Sequence, residues 1–285
     1  MADTNLILIT GATGQQGGST ARALLKAGHR VRAMTRKPDS PAARALAALG
    51  AEVVQGDLDD AGSLRKVMAG AWGLFAVQNT WEAGVEQEEV QGKRIAEVAK
   101  AAGIRHYVYA SVGSAHRKTG IPHFDNKARV EDTVRALGFP SWVILRPVFF
   151  MENFLGPWFK PAIAGGQLAV GMKPTTALQM IAVRDIGEYG KLAFTRHADL
   201  AGKGLDFAGD ELTMPQAAAI LSRVAKRSIT HFQVPIEDVR KASEDFALML
   251  EWFDRVGYDA DIPGNAKAFG VAPTTFADWA ATQSW

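Results

Sequence analysis

Apolar residues fall into two alternating rhythms along the first half of the chain. The run Leu6-Ile7-Leu8-Ile9 is short and continuously apolar, the pattern of a strand covered on both faces. A glycine cluster follows, then apolar residues at helical spacing over 19–27, with Gly28 as a helix stop. The same cycle recurs, predicting further strands over 31–34, 51–55, 72–77, 106–111 and 141–145. Helices are predicted over 41–49, with Pro41 in the first turn, and over 61–68, 87–101 and 126–136. Strands alternating with helices of this length are βαβ units, and the fold class they predict is α/β with a doubly wound parallel Rossmann sheet.

Beyond Arg146-Pro147 the rhythm breaks. Aromatics, Gly and Pro are dense over 149–173, with shorter strands predicted over 179–183 and 205–208 and helices over 186–195 and 213–224. The expectation is a Rossmann domain over 1–153 and a second, smaller α+β domain over 154–285, with room for the chain to return and interleave with the first. Composition changes this picture little. The 285 residues are 47% hydrophobic and 22% charged, which excludes disorder and low complexity. A net charge of +2 argues against a nucleic-acid footprint and a polybasic membrane anchor. Zero Cys excludes disulfides and thiolate chemistry. No apolar run approaches the roughly 20 residues of a membrane span, and the N-terminus lacks a signal-peptide layout. The expected location is cytoplasmic, with no membrane and no direct nucleic-acid partner.

Candidate chemistry begins right after the first strand. Gly11-Ala12-Thr13-Gly14-Gln15-Gln16-Gly17 places glycines where a dinucleotide fold needs a tight turn, a close approach to pyrophosphate, and helix-on-strand packing. The helix end would hold the phosphates through its exposed N–H groups. At the end of the second strand an acid would mark NAD(H), but Val31-Arg32-Ala33-Met34-Thr35-Arg36-Lys37-Pro38 carries none. Arg36 and Lys37 stand where a 2′-phosphate would sit, so NADP(H) is the expected cofactor. The bland reading of this basic stretch is a solvated face. After the third strand, Asp57 is expected to accept from the adenine amine, Leu58 to pack on the ring, and Asp60 to cap the next helix. Gln78 and Asn79, at the carboxyl end of the fourth strand, are expected to line the same crevice. Tyr107 and Tyr109 alternate on a strand and share a face, which reads as core. The six His are scattered, so no metal site is expected. Trp279 and Trp285 read as docking the tail or as a subunit contact, which would suit a homodimer.

Five runs together resemble the NmrA-like family of atypical short-chain dehydrogenases/reductases. They are Thr10 through Gly18, Gly50-Ala51-Glu52-Val53-Val54-Gln55-Gly56-Asp57, Gln78-Asn79-Thr80-Trp81-Glu82, His123-Phe124-Asp125-Asn126-Lys127, and Phe149-Phe150-Met151-Glu152-Asn153. The resemblance is dense from residue 5 to about 155 and looser beyond. It implies a Rossmann fold, NADP(H), and a segment with Phe150 over the nicotinamide, Phe149 beside it and Asn153 bonding nearby. The plain reading of the same aromatics is core. Typical members of the wider superfamily pair a Ser after the fifth strand with Tyr and Lys four apart on the next helix. Ser111 and Lys127 stand at two of those positions, but His123 occupies that of the Tyr. His123 reads either as a general acid or as a helix-start or core histidine. Lys127 is expected to bond the nicotinamide ribose. Branches of the family include redox-sensing regulators and reductases of quinones, dyes and enones. The missing Tyr favours an NADP(H) sensor with weak or no turnover; the alternative is an NADPH-dependent oxidoreductase of a small quinone, enone or carbonyl compound. The substrate and protein partner are not identified by the sequence.

Overall fold

The run Leu6-Ile7-Leu8-Ile9 is buried at every position and forms the first strand of a parallel sheet. The computed structural model describes residues 5–285. Its first half runs β1 (Leu6–Ile9), α1 (Gln15–Lys26), β2 (Arg30–Thr35), α2 (Pro41–Ala48), β3 (Glu52–Gln55), α3 (Ala61–Met68) and β4 (Gly73–Ala76). It continues through α4 (Thr80–Ala83), α5 (Val85–Ala101), β5 (His106–Ala110), α6 (Pro122–Ala136) and β6 (Ser141–Pro147). The second half opens with β7 (Phe149–Phe150), α7 (Lys160–Ala164), β8 (Gln167–Val170), β9 (Ala177–Ile181), α8 (Val183–Thr195), α9 (His197–Leu200), β10 (Lys203–Phe207) and β11 (Asp210–Thr213). It closes with α10 (Met214–Ala225), β12 (Thr230–Gln233), α11 (Ile236–Ala242), α12 (Glu244–Arg255), α13 (Ile262–Phe269) and α14 (Phe276–Ala281).

The main sheet has seven strands in the order β10-β6-β5-β4-β1-β2-β3. From β3 to β6 all neighbours are parallel. The strand order reverses after β3, and a topological switch point lies between β1 and β4; α3, α5 and α6 share one face of the sheet. One core cluster under this sheet runs from Leu8 and Leu74 through Ile95 to Tyr107, Tyr109 and Val130. Both tyrosines are fully buried, as their shared face suggests.

The chain divides into two units. The first holds the described residues up to Ala115 with His123–Arg146 and Ile186–Leu205; the second holds His116–Pro122, Pro147–Asp185 and Asp206–Trp285. The chain thus leaves the first unit briefly over His116–Pro122 and again after Arg146, and returns to it over Ile186–Leu205. The strand expected over 205–208 is β10, which pairs with β6 at the edge of the main sheet; Leu205 belongs to the first unit and Asp206 onward to the second. The return is held by small residues. A Cβ on Gly187 would lie 2.7 Å from the Ser19 carbonyl oxygen, and one on Gly190 would strike the Thr20 side chain, so α8 and α1 approach closely. The second unit has a three-stranded sheet β11-β9-β7 and a two-stranded sheet β12-β8. Phe154 meets Phe159 at 5.2 Å and Phe276 at 5.4 Å between ring centres, and Phe149 adjoins Phe154 at 5.8 Å. Trp279 is buried on α14 and donates its indole N–H to Glu152 (3.1 Å), docking the C-terminal helix within this unit. Trp285 donates to the Ala280 carbonyl and lies edge-on to Trp279.

His106 illustrates how the first unit handles a buried base. Its Nε2–H donates to the Ala193 carbonyl at 2.9 Å, so Nδ1 is left to accept from the Ser141 hydroxyl at 2.8 Å. Burial, with a smaller push from His197, lowers its pKa to about 4 despite the Ala193 bond. The neutral ring is therefore the folded form, and its stability is fully present above the unfolded pKa of about 6.5 and lost as pH falls toward 4. Lowering pH from 7 to 5 should cost about 2 kcal/mol through this group. Urea unfolding at both pH values checks it: His106→Gln should lose that part of the pH dependence, and an unchanged slope would refute the assignment.

Candidate nucleotide site

The site is built where β1 ends beside β4. Thr10 ties the two strand ends together, its hydroxyl donating to the Val77 carbonyl (3.0 Å) and accepting from the Val77 N–H (2.9 Å). Gly11 then turns the chain at φ +54°, a conformation that favours glycine. The Gly14 N–H closes the turn on the Gly11 carbonyl at 2.9 Å. Helix α1 starts at Gln15, earlier than the expected 19, and Gly17 and Gly18 lie buried inside its first turns. A Cβ on Gly17 would sit 2.5 Å from the Gly11 oxygen and 2.6 Å from the Thr10 oxygen, so only glycine lets α1 start so close to β1. Gly14, the N-cap, supplies no side chain to the helix end, and Thr13, Gly14 and Gln15 are exposed while Ala12 is buried. The first-turn amides have no intrahelical acceptor and carry the positive end of the helix dipole. The buried Gln16 Oε1 has no hydrogen-bond partner. An open glycine cradle on an uncapped twelve-residue helix fits a pyrophosphate.

Arg36 and Lys37, just beyond β2, are exposed. The Arg36 guanidinium is engaged, with Nη2 at 2.5 Å from Glu82 Oε2. The residues expected around the adenine, in the loop after β3, are partly committed to the loop itself. Asp57 Oδ1 accepts from the Asp59 N–H (2.9 Å), Leu58 packs against the core, and Asp60 caps α3 by accepting from Gly62. At the end of β4, Gln78 is buried and neither atom of its carboxamide finds a partner. Asn79 caps the one-turn helix α4 through the Trp81 N–H and donates to Glu82.

The three residues matched to the dehydrogenase machinery all belong to the first unit. Helix α6 begins at Pro122 rather than 126 and so carries both His123 and Lys127. Lys127 is buried, with Nζ 2.5 Å from Glu88 Oε1 on α5. Glu88 also accepts from Asn126 (2.8 Å) and from the Thr80 hydroxyl. Burial would raise the Glu88 pKa, but the Lys127 charge and these donors outweigh it and hold the carboxyl below the usual range. Ser111 donates to Glu131 Oε1 at 2.6 Å. Glu131 is fully buried and also holds Arg146 and Arg135. Its pKa is likewise lowered: burial opposes, and the Arg146 contacts, Ser111 and Arg135 prevail. His123 is buried, its ring 5.5 Å from Trp81 and edge-on to Phe124. Burial pushes the Tyr109 hydroxyl far above its usual pKa, so it is no ready acid.

Phe149, Phe150 and Asn153 belong to the second unit. Phe149 lies in its aromatic cluster, Phe150 pairs with Ile181 in register, and Asn153 is half-buried. Among the described residues no group of His, Asp or Glu is placed to hold a metal, and no helix is long and apolar enough to cross a membrane.

Glu88 and Glu131 have no place in the sequence expectations, and Glu82 enters them only as the last residue of a family-like run, with no role. For Glu88 a signal existed, since it falls on the stripe of α5 shared with Gln91, Gly92, Ile95 and Ala99, all buried. An acid on an apolar stripe implies a buried partner. Glu82 had no such signal, because its partner comes from a distant loop.

Comparison with known proteins agrees with this architecture. The chain is 29% identical over 288 residues to the (4-alkanoyl-5-oxo-2,5-dihydrofuran-3-yl)methyl phosphate reductase of Streptomyces griseus, covering 97% of each. It is 36% identical over 173 residues to the NmrA-like family domain-containing oxidoreductase FrzB of a Cladobotryum species, covering 57% of this chain and 52% of that protein. The chain spans about half the length of FrzB and the other fungal oxidoreductases it matches. Among solved structures, the NADPH-dependent quinone oxidoreductase QOR2 of Escherichia coli with NADPH aligns at TM-score 0.83 and 25% identity, covering 96% of this chain and 98% of its own. The NmrA-like family as a whole matches residues 3–280, and the chain belongs to that family.

Proposed function

We propose that this chain is an NADP(H)-binding redox sensor or regulator with weak or no hydride-transfer turnover. The observation that carries the reading is the pairing of an open phosphate cradle with dehydrogenase residues that are already committed. Ser111 donates to Glu131, Lys127 to Glu88, and His123 stands where the proton-donating Tyr would be. Bound NADPH supplies a hydride from its nicotinamide. In this reading the Gly11–Gly17 loop holds the pyrophosphate, Arg36 and Lys37 the 2′-phosphate, Asp57 and Leu58 the adenine, and Gln78 and Lys127 the nicotinamide half. The orphaned Gln78 carboxamide supports this, because a buried amide without partners costs about 1–3 kcal/mol unless something bonds it.

A second reading is favoured by the full-length reductase relative and by QOR2. It is an NADPH-dependent reductase of a quinone or conjugated enone, whose reduced oxygen is stabilised by delocalisation and needs no positioned acid. NADPH consumption against a panel of quinones, enones and aldehydes separates the two, and rapid turnover of any member would replace the sensor by the reductase. For the cofactor itself, NADP⁺ should bind at least about tenfold more tightly than NAD⁺, and Arg36→Ala should remove most of that preference. A guanidinium–phosphate pair contributes roughly 1.5–3 kcal/mol, and about 1.4 kcal/mol is one decade. Equal calorimetric affinities in the wild type would refute it.

A further inference from the structure

We propose that Glu82 is an internal rival of the cofactor's 2′-phosphate for Arg36, so that NADP(H), but not NAD(H), releases the turn that carries Trp81. The inference rests on the reading of Arg36 as the 2′-phosphate residue. Glu82 is held in place for this contact. Asn79 caps α4 with its carbonyl oxygen on the Trp81 N–H (3.1 Å), and its amide donates to Glu82 Oε1 (3.3 Å). That leaves Oε2 on Arg36 Nη2 at 2.5 Å.

The same turn reaches the other cofactor-side residues. The Thr80 hydroxyl donates to Glu88, which holds Lys127, and Trp81, 62% exposed, tilts against His123 at 5.5 Å. Gly84 ends the turn at φ +84°. One short helical turn thus touches Arg36 and His123 directly and Lys127 through Glu88.

The two members of the ion pair differ in what can replace them. Arg36 and Glu82 side chains are 65% and 58% exposed, so their pairing is weak and screened by salt. A phosphate offers Arg36 more charge and a bidentate acceptor, and it displaces the carboxylate. The displaced Glu82 then faces a phosphate of like sign and moves away, taking Trp81 with it. The neutral 2′-hydroxyl of NAD(H) exerts neither force.

Calorimetric titration of the full chain with NADP⁺ and with NAD⁺ tests this in wild type, Glu82→Gln, Arg36→Ala and the double variant. Glu82→Gln should tighten NADP⁺ by about two- to fivefold at low salt, the scale of an exposed ion pair, and leave NAD⁺ unchanged. The gain should shrink in high salt and vanish in the Arg36→Ala background. Wild-type tryptophan emission should respond to NADP⁺ more than to NAD⁺, and Trp81→Phe should remove the difference. An unchanged NADP⁺ affinity in Glu82→Gln, or equal tightening of both dinucleotides, would overturn the rivalry while leaving Arg36 intact. If Arg36→Ala leaves the NADP⁺/NAD⁺ ratio untouched, the assignment of Arg36 itself fails.

Discussion

Gly17→Val should abolish NADP⁺ binding and destabilise the protein by about 3 kcal/mol or more, whereas Gly14→Val should abolish binding in a protein that still folds. The two glycines sit three residues apart but do different jobs. A Cβ on Gly17 would lie 2.5–2.7 Å from backbone atoms of Thr10 and Gly11, and backbone at the end of a central strand cannot give way. The α1 helix would have to lift from β1. At Gly14 the added Cβ meets only the Gly11 oxygen at 3.3 Å, and the backbone is extended with φ −92°, acceptable to any residue. A valine there projects from the exposed face of the loop, where the pyrophosphate must approach. Losing two charge-assisted N–H contacts at roughly 1.5–3 kcal/mol each weakens binding at least ~100-fold. Thermal unfolding and calorimetry on both variants check the contrast. NADP⁺ binding retained in Gly14→Val would refute the phosphate loop.

Removing either partner of the Glu131–Arg146 pair should be the most destabilising polar change in the first unit. Arg146 binds both carboxylate oxygens, Nε at 2.9 Å and Nη2 at 2.7 Å, and the two side chains are 7% and 0% exposed. Glu131→Ala removes the carboxylate that two Arg146 nitrogens bind in the interior, expected to cost about 3–5 kcal/mol. Arg146→Leu should cost less, because Arg135, 35% exposed, still donates to Glu131 at 2.7 Å. The double variant Glu131→Ala with Arg146→Leu should be more stable than additivity allows, since the two opposite charges that face each other are removed together. Ser111→Ala removes one hydrogen bond of this cluster and should cost about 1–2 kcal/mol. Denaturant midpoints for the four variants measure the coupling, and strict additivity would refute the network. The depressed Glu131 pKa means this contribution holds at neutral pH and is lost as acid protonates the carboxylate.

The alternation of elements through β6 was legible because a parallel sheet covered on both faces writes continuous apolar runs and glycine stops into the chain. The glycine loop and the bare basic end of β2 were legible for a similar reason, since their chemistry is contained in a few consecutive residues. Boundaries were less so. The onset of α1 at Gln15 was hidden by glycines that usually break helices, and the onset of α6 at Pro122 by a histidine and a proline that propensity assigns to a loop. β10 read as part of the second domain because a short apolar run does not say which sheet will take it.

What the sequence by itself determined, then, is everything carried by neighbours along the chain: the βαβ order, the glycine turn into α1, the absence of an acid after β2, and His123 in place of a Tyr. What only the tertiary structure decided is the company these residues keep. Lys127 meets Glu88 from α5, Ser111 meets Glu131 from α6, Arg36 meets Glu82 from α4, and Gly187 and Gly190 meet α1. The physical reason is that a charge or hydrogen bond acts over a few ångströms in space and is indifferent to sequence separation. Periodicity fixes which face a residue occupies, but packing fixes what lies opposite it, and the opposite residue decides whether a hydroxyl or an ammonium is free to do chemistry.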